Sequence, residues 1–137
     1  MGTYYKSSII YGFSSCDYDD ILSANFGDPI YGDVICSSQE EEQKIYDKAA
    51  EIYEDFRDNS HYCIYTDGYG DIDFDVFGIE VTSTVWAYDI TELNPTLFTT
   101  FIMENGESIA KMCKEYYKYF PQYINQKPKF YLVTRRT

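Results

Sequence analysis

The densest set of ligand-type side chains in this chain is Asp67, Asp71, Asp73 and Asp75, four carboxylates within nine residues. If DIDFDVF (71–77) is extended, alternation places Asp71, Asp73 and Asp75 on one face, about 7 Å apart, and Ile72, Phe74 and Val76 on the other. Carboxylates so placed repel one another, and a hard divalent cation such as Mg²⁺ or Ca²⁺ relieves that. Two such ions support phosphoryl transfer or hydrolysis, so Asp71, Asp73 and Asp75 are the weak metal-site candidates of the chain. The spacing is not that of a helix–loop–helix calcium site. Counting from Asp67, the third and sixth positions are Tyr69 and Ile72, where an acid or Asn and a Gly are required. The other uses of such a strand are a solvated face that discourages edge-to-edge pairing and a contact for a basic protein.

A second acidic set is Glu40, Asp47, Glu51, Glu54 and Asp58, which share one face of a helix read over 38–58. Lys44 and Lys48 interrupt that face and can pair locally with Glu40, Glu41 and Glu51. Spaced carboxylates imitate a nucleic-acid backbone, and neighbouring tyrosines (Tyr46, Tyr53, Tyr62, Tyr65, Tyr69, Tyr88) are candidates for contact area. His61, Cys63 and Asp67 could be aligned as a thiol dyad with an orienting acid, but no oxyanion donor is identifiable. No nucleophile-elbow, zinc-protease or nucleotide-binding glycine motif is present, so no motif names an enzyme or a cofactor. The cysteines Cys16, Cys36, Cys63 and Cys113 lack any C-x-x-C pair, and His61 is the one histidine, which argues against structural zinc.

These residues need elements to hold them. Residues 4–13 read as a strand in which Gly12 marks a bulge or a close backbone approach. The stretch 14–35 reads as irregular, with Asp17–Asp20 opening a short helix through Leu22. The 38–58 helix has a capping box at Ser38 and Glu41 and a buried stripe of Ile45, Ala49, Ile52, Tyr53 and Phe56. Residues 61–66, 71–77 and 79–88 read as a three-stranded meander divided at 67–70 and at Gly78. Asn94-Pro95 opens a further helix that Asn105-Gly106 stops, although Thr99, Thr100 and Ile102 also suit a strand. Residues 107–120 form another helix, with Ile109, Met112, Cys113, Tyr116 and Phe120 inward, and 129–134 a last strand. The expected fold is α+β in one domain spanning 1–137. It has an antiparallel or mixed sheet of about five strands, covered on one face by two or three helices.

Charge gives the clearest statement about partners. Residues 1–107 hold 22 acids and 4 bases, a formal −18, whereas 108–137 hold 1 acid and 7 bases, a formal +6, for a net −12. So acidic a body excludes direct nucleic-acid binding and an anionic membrane as partners and points to something basic. The basic segment reads as counter-charge to the body. No signal-peptide or membrane-spanning stretch is evident, so a soluble, cytoplasmic, reducing setting is expected. The function expected is a non-enzymatic interaction protein that covers a basic, nucleic-acid-binding protein surface, as inhibitors, immunity proteins and viral or phage antagonists do. Its contact residues would be Glu40, Asp47, Glu51, Glu54, Asp58, Asp67, Tyr69, Asp71, Asp73 and Asp75. The alternatives are a metal-dependent enzyme built on the Asp71, Asp73 and Asp75 cluster and a self-assembling subunit using the split charge.

Overall fold

The structure, a computed structural model, describes residues 5–27, 39–67, 72–84 and 93–136. Of residues 5–6, 65–67, 72–75, 83–84 and 134–136 it describes the backbone alone. The chain runs β1 (Tyr5–Phe13), α1 (Tyr18–Phe26), α2 (Gln39–Asn59), β2 (Cys63–Asp67), β3 (Ile72–Thr84), α3 (Leu97–Glu104), α4 (Gly106–Tyr119), a 3₁₀ turn (Pro121–Tyr123) and β4 (Lys129–Arg136). The described strands form one antiparallel sheet in the order β2-β3-β1-β4, an α+β fold with four strands rather than five.

The missing strand is explained at Gly78. The expected break there does not occur, and β3 continues through it for 13 residues. Gly78 lies opposite Gly12 of β1, where the two backbones approach closely. A Cβ on Gly78 would fall 2.5 Å from the Tyr11 carbonyl oxygen, and one on Gly12 would overlap the Phe77 carbonyl. The pairing register shifts on either side of this crossing. Asp75 is the extra residue against β2, and Val81 the extra residue against β1. Such irregularities bend a strand and increase its twist. The sheet is curled as a result. β2 and β4 stand at opposite ends of the strand order, about 14 Å apart in a flat sheet, yet their Cα atoms come within 8 Å. Ile64 of β2 and Tyr131 of β4 therefore join one small cluster with Ile10, Val76 and Val133.

The other face carries the helices. Phe13 and Phe77 project from it into a core shared with Ile21 and Leu22 of α1, Ala49 and Phe56 of α2, and Met112, Tyr116 and Tyr119 of α4. Phe13 stacks flat on Tyr116 at 3.8 Å between centroids, and Tyr116 in turn stacks on Phe120 at 4.5 Å. The buried stripe expected on α2 is observed, with Ala49 and Phe56 fully buried and Ile45, Ile52 and Tyr53 packed against the same core. The capping position expected at Ser38 lies outside the described residues.

Local signals explain the remaining helices. Asp17 and Asp20 cap α1 reciprocally, Asp17 Oδ1 accepting from the Asp20 N–H at 2.9 Å and Asp20 Oδ2 from the Asp17 N–H at 3.2 Å. The stretch 97–104 is a helix, not a strand, because Phe98 and Phe101 reach Phe130, at 4.6 and 6.4 Å between centroids. Asn94 starts this segment through an Asx turn, its Oδ1 accepting from the Thr96 N–H at 3.0 Å. Asn105 and Gly106 do not separate the two helices as a loop would. Asn105 is the single joint residue, and Gly106 already begins α4.

Gly12→Ala is expected to lower stability by about 3 kcal/mol or more, since backbone rather than a flexible side chain must move. Gly106→Ala, where nothing lies within 4 Å of a new Cβ, is expected to be neutral or stabilising by about 0.5–1 kcal/mol. Urea denaturation of both variants checks the contrast.

Candidate partner-binding face

Helix α2 presents the acidic face expected of it. Glu40, Asp47, Glu51, Glu54 and Asp58 are all exposed, and Glu40 and Asp58 lie about 27 Å apart along the helix axis. Over the whole of α2 eight carboxylates face three cations. Of the local pairing expected of Lys44 and Lys48, no ion pair to Glu40 or Glu51 forms among the described residues. Asp47 instead accepts a hydrogen bond from Gln43 Nε2 at 3.0 Å. Asp55, on the flank, is held by Asn59 and by the Tyr119 hydroxyl at 3.0 Å, and these two donors depress its carboxyl below the usual range.

A groove accompanies the acids. Between the C-terminal end of α1 and α2 lies an open cleft of about 430 Å³ lined by Phe26, Lys44, Ile45, Asp47, Lys48 and Glu51. Phe26 and Ile45 offer apolar surface next to two carboxylates, Asp47 and Glu51, and two lysines, Lys44 and Lys48. A lysine or arginine of a partner has that shape, an apolar stem with a charged head. Phe26 had no functional signal in the sequence, since only the docking of α1 against α2 brings it beside Asp47.

The hairpin set fares differently. Asp67, Asp73 and Asp75 are placed by their backbone on β2 and β3, with Asp67 opposite Ile72 and Thr66 opposite Asp73. Tyr69 and Asp71 lie outside the described residues, as do the side chains of Asp67, Asp73 and Asp75. One uninterrupted alternation over 71–77 does not hold, because the register shift at Asp75 breaks it. Among the described residues no hydrogen bond or ion pair joins this hairpin to the α2 face, and no three His, Cys, Asp or Glu side chains converge as a metal site requires.

The tyrosines are structural to a greater degree than their number suggests. Ten have described side chains, of which Tyr116 and Tyr119 are buried and the other eight half-buried. Tyr46, Tyr53 and Tyr62, candidates for contact area, pack against the main core. Tyr65 is described by backbone alone, and Tyr69 and Tyr88 lie outside the described residues. The phenol hydroxyls tie elements together: Tyr18 donates to the Tyr46 carbonyl at 3.2 Å, Tyr116 to the Ser15 carbonyl at 2.7 Å and Tyr123 to Asp20 Oδ1 at 3.4 Å.

The thiol chemistry loses its support in the geometry. Cys63 Sγ donates to the Phe56 carbonyl at 3.8 Å, and burial pushes its thiol pKa up, away from a reactive thiolate. His61 is exposed and turned to Glu115, with Nδ1 3.8 Å from Oε2. Cys16, Cys63 and Cys113 are free thiols, Cys16 buried and the others half-buried, and Cys36 lies outside the described residues.

Among the described side chains the lysine-bearing segment forms no ion pair with α2. Its one ion pair with an acid among the described residues is local, Lys111 to Glu107 at 3.7 Å. Lys118 lies 5.1 Å over the Tyr119 ring, close enough to contribute weakly to the depressed pKa of Asp55. No described helix is long and apolar enough to cross a membrane. Comparison with family models, curated proteins and solved structures finds no match to this chain.

One carboxyl titrates near neutrality. Burial, then the side-chain hydrogen bond and charge of Asp17, push Asp20 from its ordinary 3.8 up to about 6, against the opposing bond from the Asp17 N–H. A raised folded value means that this group's stabilising contribution is complete below pH 3.8 and is lost as the pH rises through about 6. Asp20→Asn keeps an oxygen to accept from the Asp17 N–H and cannot ionise. Relative to the variant, the native chain is expected to lose urea resistance between pH 4 and pH 7, measured as the difference in unfolding midpoints.

Proposed function

We propose that this chain is a non-enzymatic interaction protein that covers a basic surface of another protein, one that itself binds nucleic acid. The observation that carries the reading is the exposed carboxylate row of α2, without ion-pair partners at Glu51, Glu54 and Asp58 among the described residues. A row of carboxylates on a rigid helix offers a partner's lysines and arginines the charge they meet on a phosphate backbone. The groove at Phe26 and Ile45 adds a place for one cationic side chain to bury its stem. The Asp67–Asp75 hairpin belongs to the same proposed contact. Because the described tyrosines are engaged in the core, charge and the groove carry the contact, and binding is strongly salt-dependent.

Affinity capture from host lysate at low and high salt, with double-stranded DNA as competitor, tests this. The captured proteins are expected to be basic, to be released by salt and to be displaced by the DNA. Glu51→Lys combined with Glu54→Lys is expected to slow association by about tenfold at low salt. Capture that is indifferent to this double reversal, or that recovers only proteins without basic surfaces, overturns the reading.

A further inference from the structure

We infer that the cleft carrying Lys127 and Lys129 is a binding site for a small phosphate-bearing ligand of mononucleotide size. The cleft measures about 450 Å³ and lies where β1 ends and β4 begins. Ser14 and Ser15 form one wall, and Asn125, Gln126, Lys127 and Lys129 the other. Its size falls in the ordinary range for small-molecule sites, about 300–1,000 Å³.

The lining has a consistent chemistry. Among the described residues two lysines, two serines and two side-chain amides line it and no carboxylate does, in a chain of net charge −12. Two point charges with several neutral donors around them suit a phosphate dianion, whose three terminal oxygens accept from several directions at once. The acidic body does not forbid this. Charges beyond a Debye length of about 8 Å are largely screened at physiological salt, and of the nearer acids Asp20 is held by the Tyr123 hydroxyl at 3.4 Å and does not line the cleft. The half-buried Tyr131 supplies aromatic surface in the same cleft, against which a planar base can stack.

The walls are held in place by consecutive tyrosines of α4. Tyr116 donates to the Ser15 carbonyl at 2.7 Å, and Tyr117 donates to the Gln126 carbonyl. The Gln126 N–H donates to the Tyr123 carbonyl at 2.8 Å, closing the turn that presents Lys127. Phe13 is clamped by its flat stack on Tyr116. Walls whose backbone is fixed before a ligand arrives reduce the ordering that binding requires.

The test titrates the full chain with adenosine 5′-monophosphate, adenosine and inorganic phosphate, following backbone amide shifts by NMR. The monophosphate is expected to saturate, with shifts centred on Ser14, Ser15 and residues 125–129. Adenosine is expected to bind about tenfold more weakly or less, and Lys127→Ala with Lys129→Ala to weaken the monophosphate by about tenfold or more. Both lysines are exposed, so an unchanged thermal midpoint shows that the variant is folded. The inference is overturned if the monophosphate does not saturate by about 10 mM, a weak limit for any specific site, if its shifts scatter over the surface, or if the double variant binds as the native chain does. Adenosine binding equal to that of the monophosphate also overturns it. Inorganic phosphate binding as tightly as the monophosphate overturns the mononucleotide assignment.

Discussion

The crossing of β1 and β3 at Gly12 and Gly78 governs the architecture. Two backbones can approach this closely only where neither carries a Cβ. The register shifts at Asp75 and Val81 flank that crossing on β3. Together they bend the central strand pair until β2 and β4 near one another across the concave side. That side then closes on a small cluster around Ile10 and Val76, and the convex side is left for the helices. The place of every other feature follows. Helices α1, α2 and α4 gather over Phe13 and Phe77, α3 rests on Phe130, and the chain leaving β1 is brought beside the chain entering β4.

Aromatic side chains convert this frame into a fixed packing. The Phe13–Tyr116–Phe120 stack runs from sheet to helix to turn, and Phe56 meets Phe77, Tyr119 and Phe120 around it. Tyrosine is suited to such seams, because its ring enters the core while its hydroxyl reaches a carbonyl or carboxylate at the edge. Burial raises the Tyr116 phenol far above its ordinary value, so it remains a neutral donor to Ser15. Burial and the neighbouring Asp55 carboxylate similarly push Tyr119 to about 12. An abundance of tyrosine that reads as contact surface is, for the described residues, largely a means of joining layers.

The charge pattern takes its meaning from the same packing. Opposite charges in sequence segments do not become ion pairs unless the fold brings them within reach. Here α2 keeps its acids outward, and the lysines of α4 lie on an exposed face of their own helix. The molecule therefore has an acidic helix and, on other segments, a set of exposed lysines. The proposed protein contact and the inferred phosphate cleft use different residues and opposite charge.

Periodicity and caps made most elements legible: the stripe on α2, the inward face of α4, the Asp17–Asp20 start of α1 and both terminal strands are local patterns that local physics sustains. The exposed acids of α2 were legible for the same reason, since a helix with one apolar stripe must turn its charged residues outward. Gly78 was not, because a glycine that breaks a strand and one that permits a crossing look alike until its partner is known. The alternation over 71–77 failed at Asp75 because the partner strand decides where an extra residue is accommodated. Phe26 beside Asp47, and Ser14 and Ser15 beside Lys127 and Lys129, lie on segments far apart in the chain, so no spacing announces them. The amino-acid sequence alone determined the helices, their inner and outer faces and the division of charge, all set by neighbours within a few residues. Strand number, the curl of the sheet and both clefts were decided by tertiary structure, because they arise where distant backbones meet.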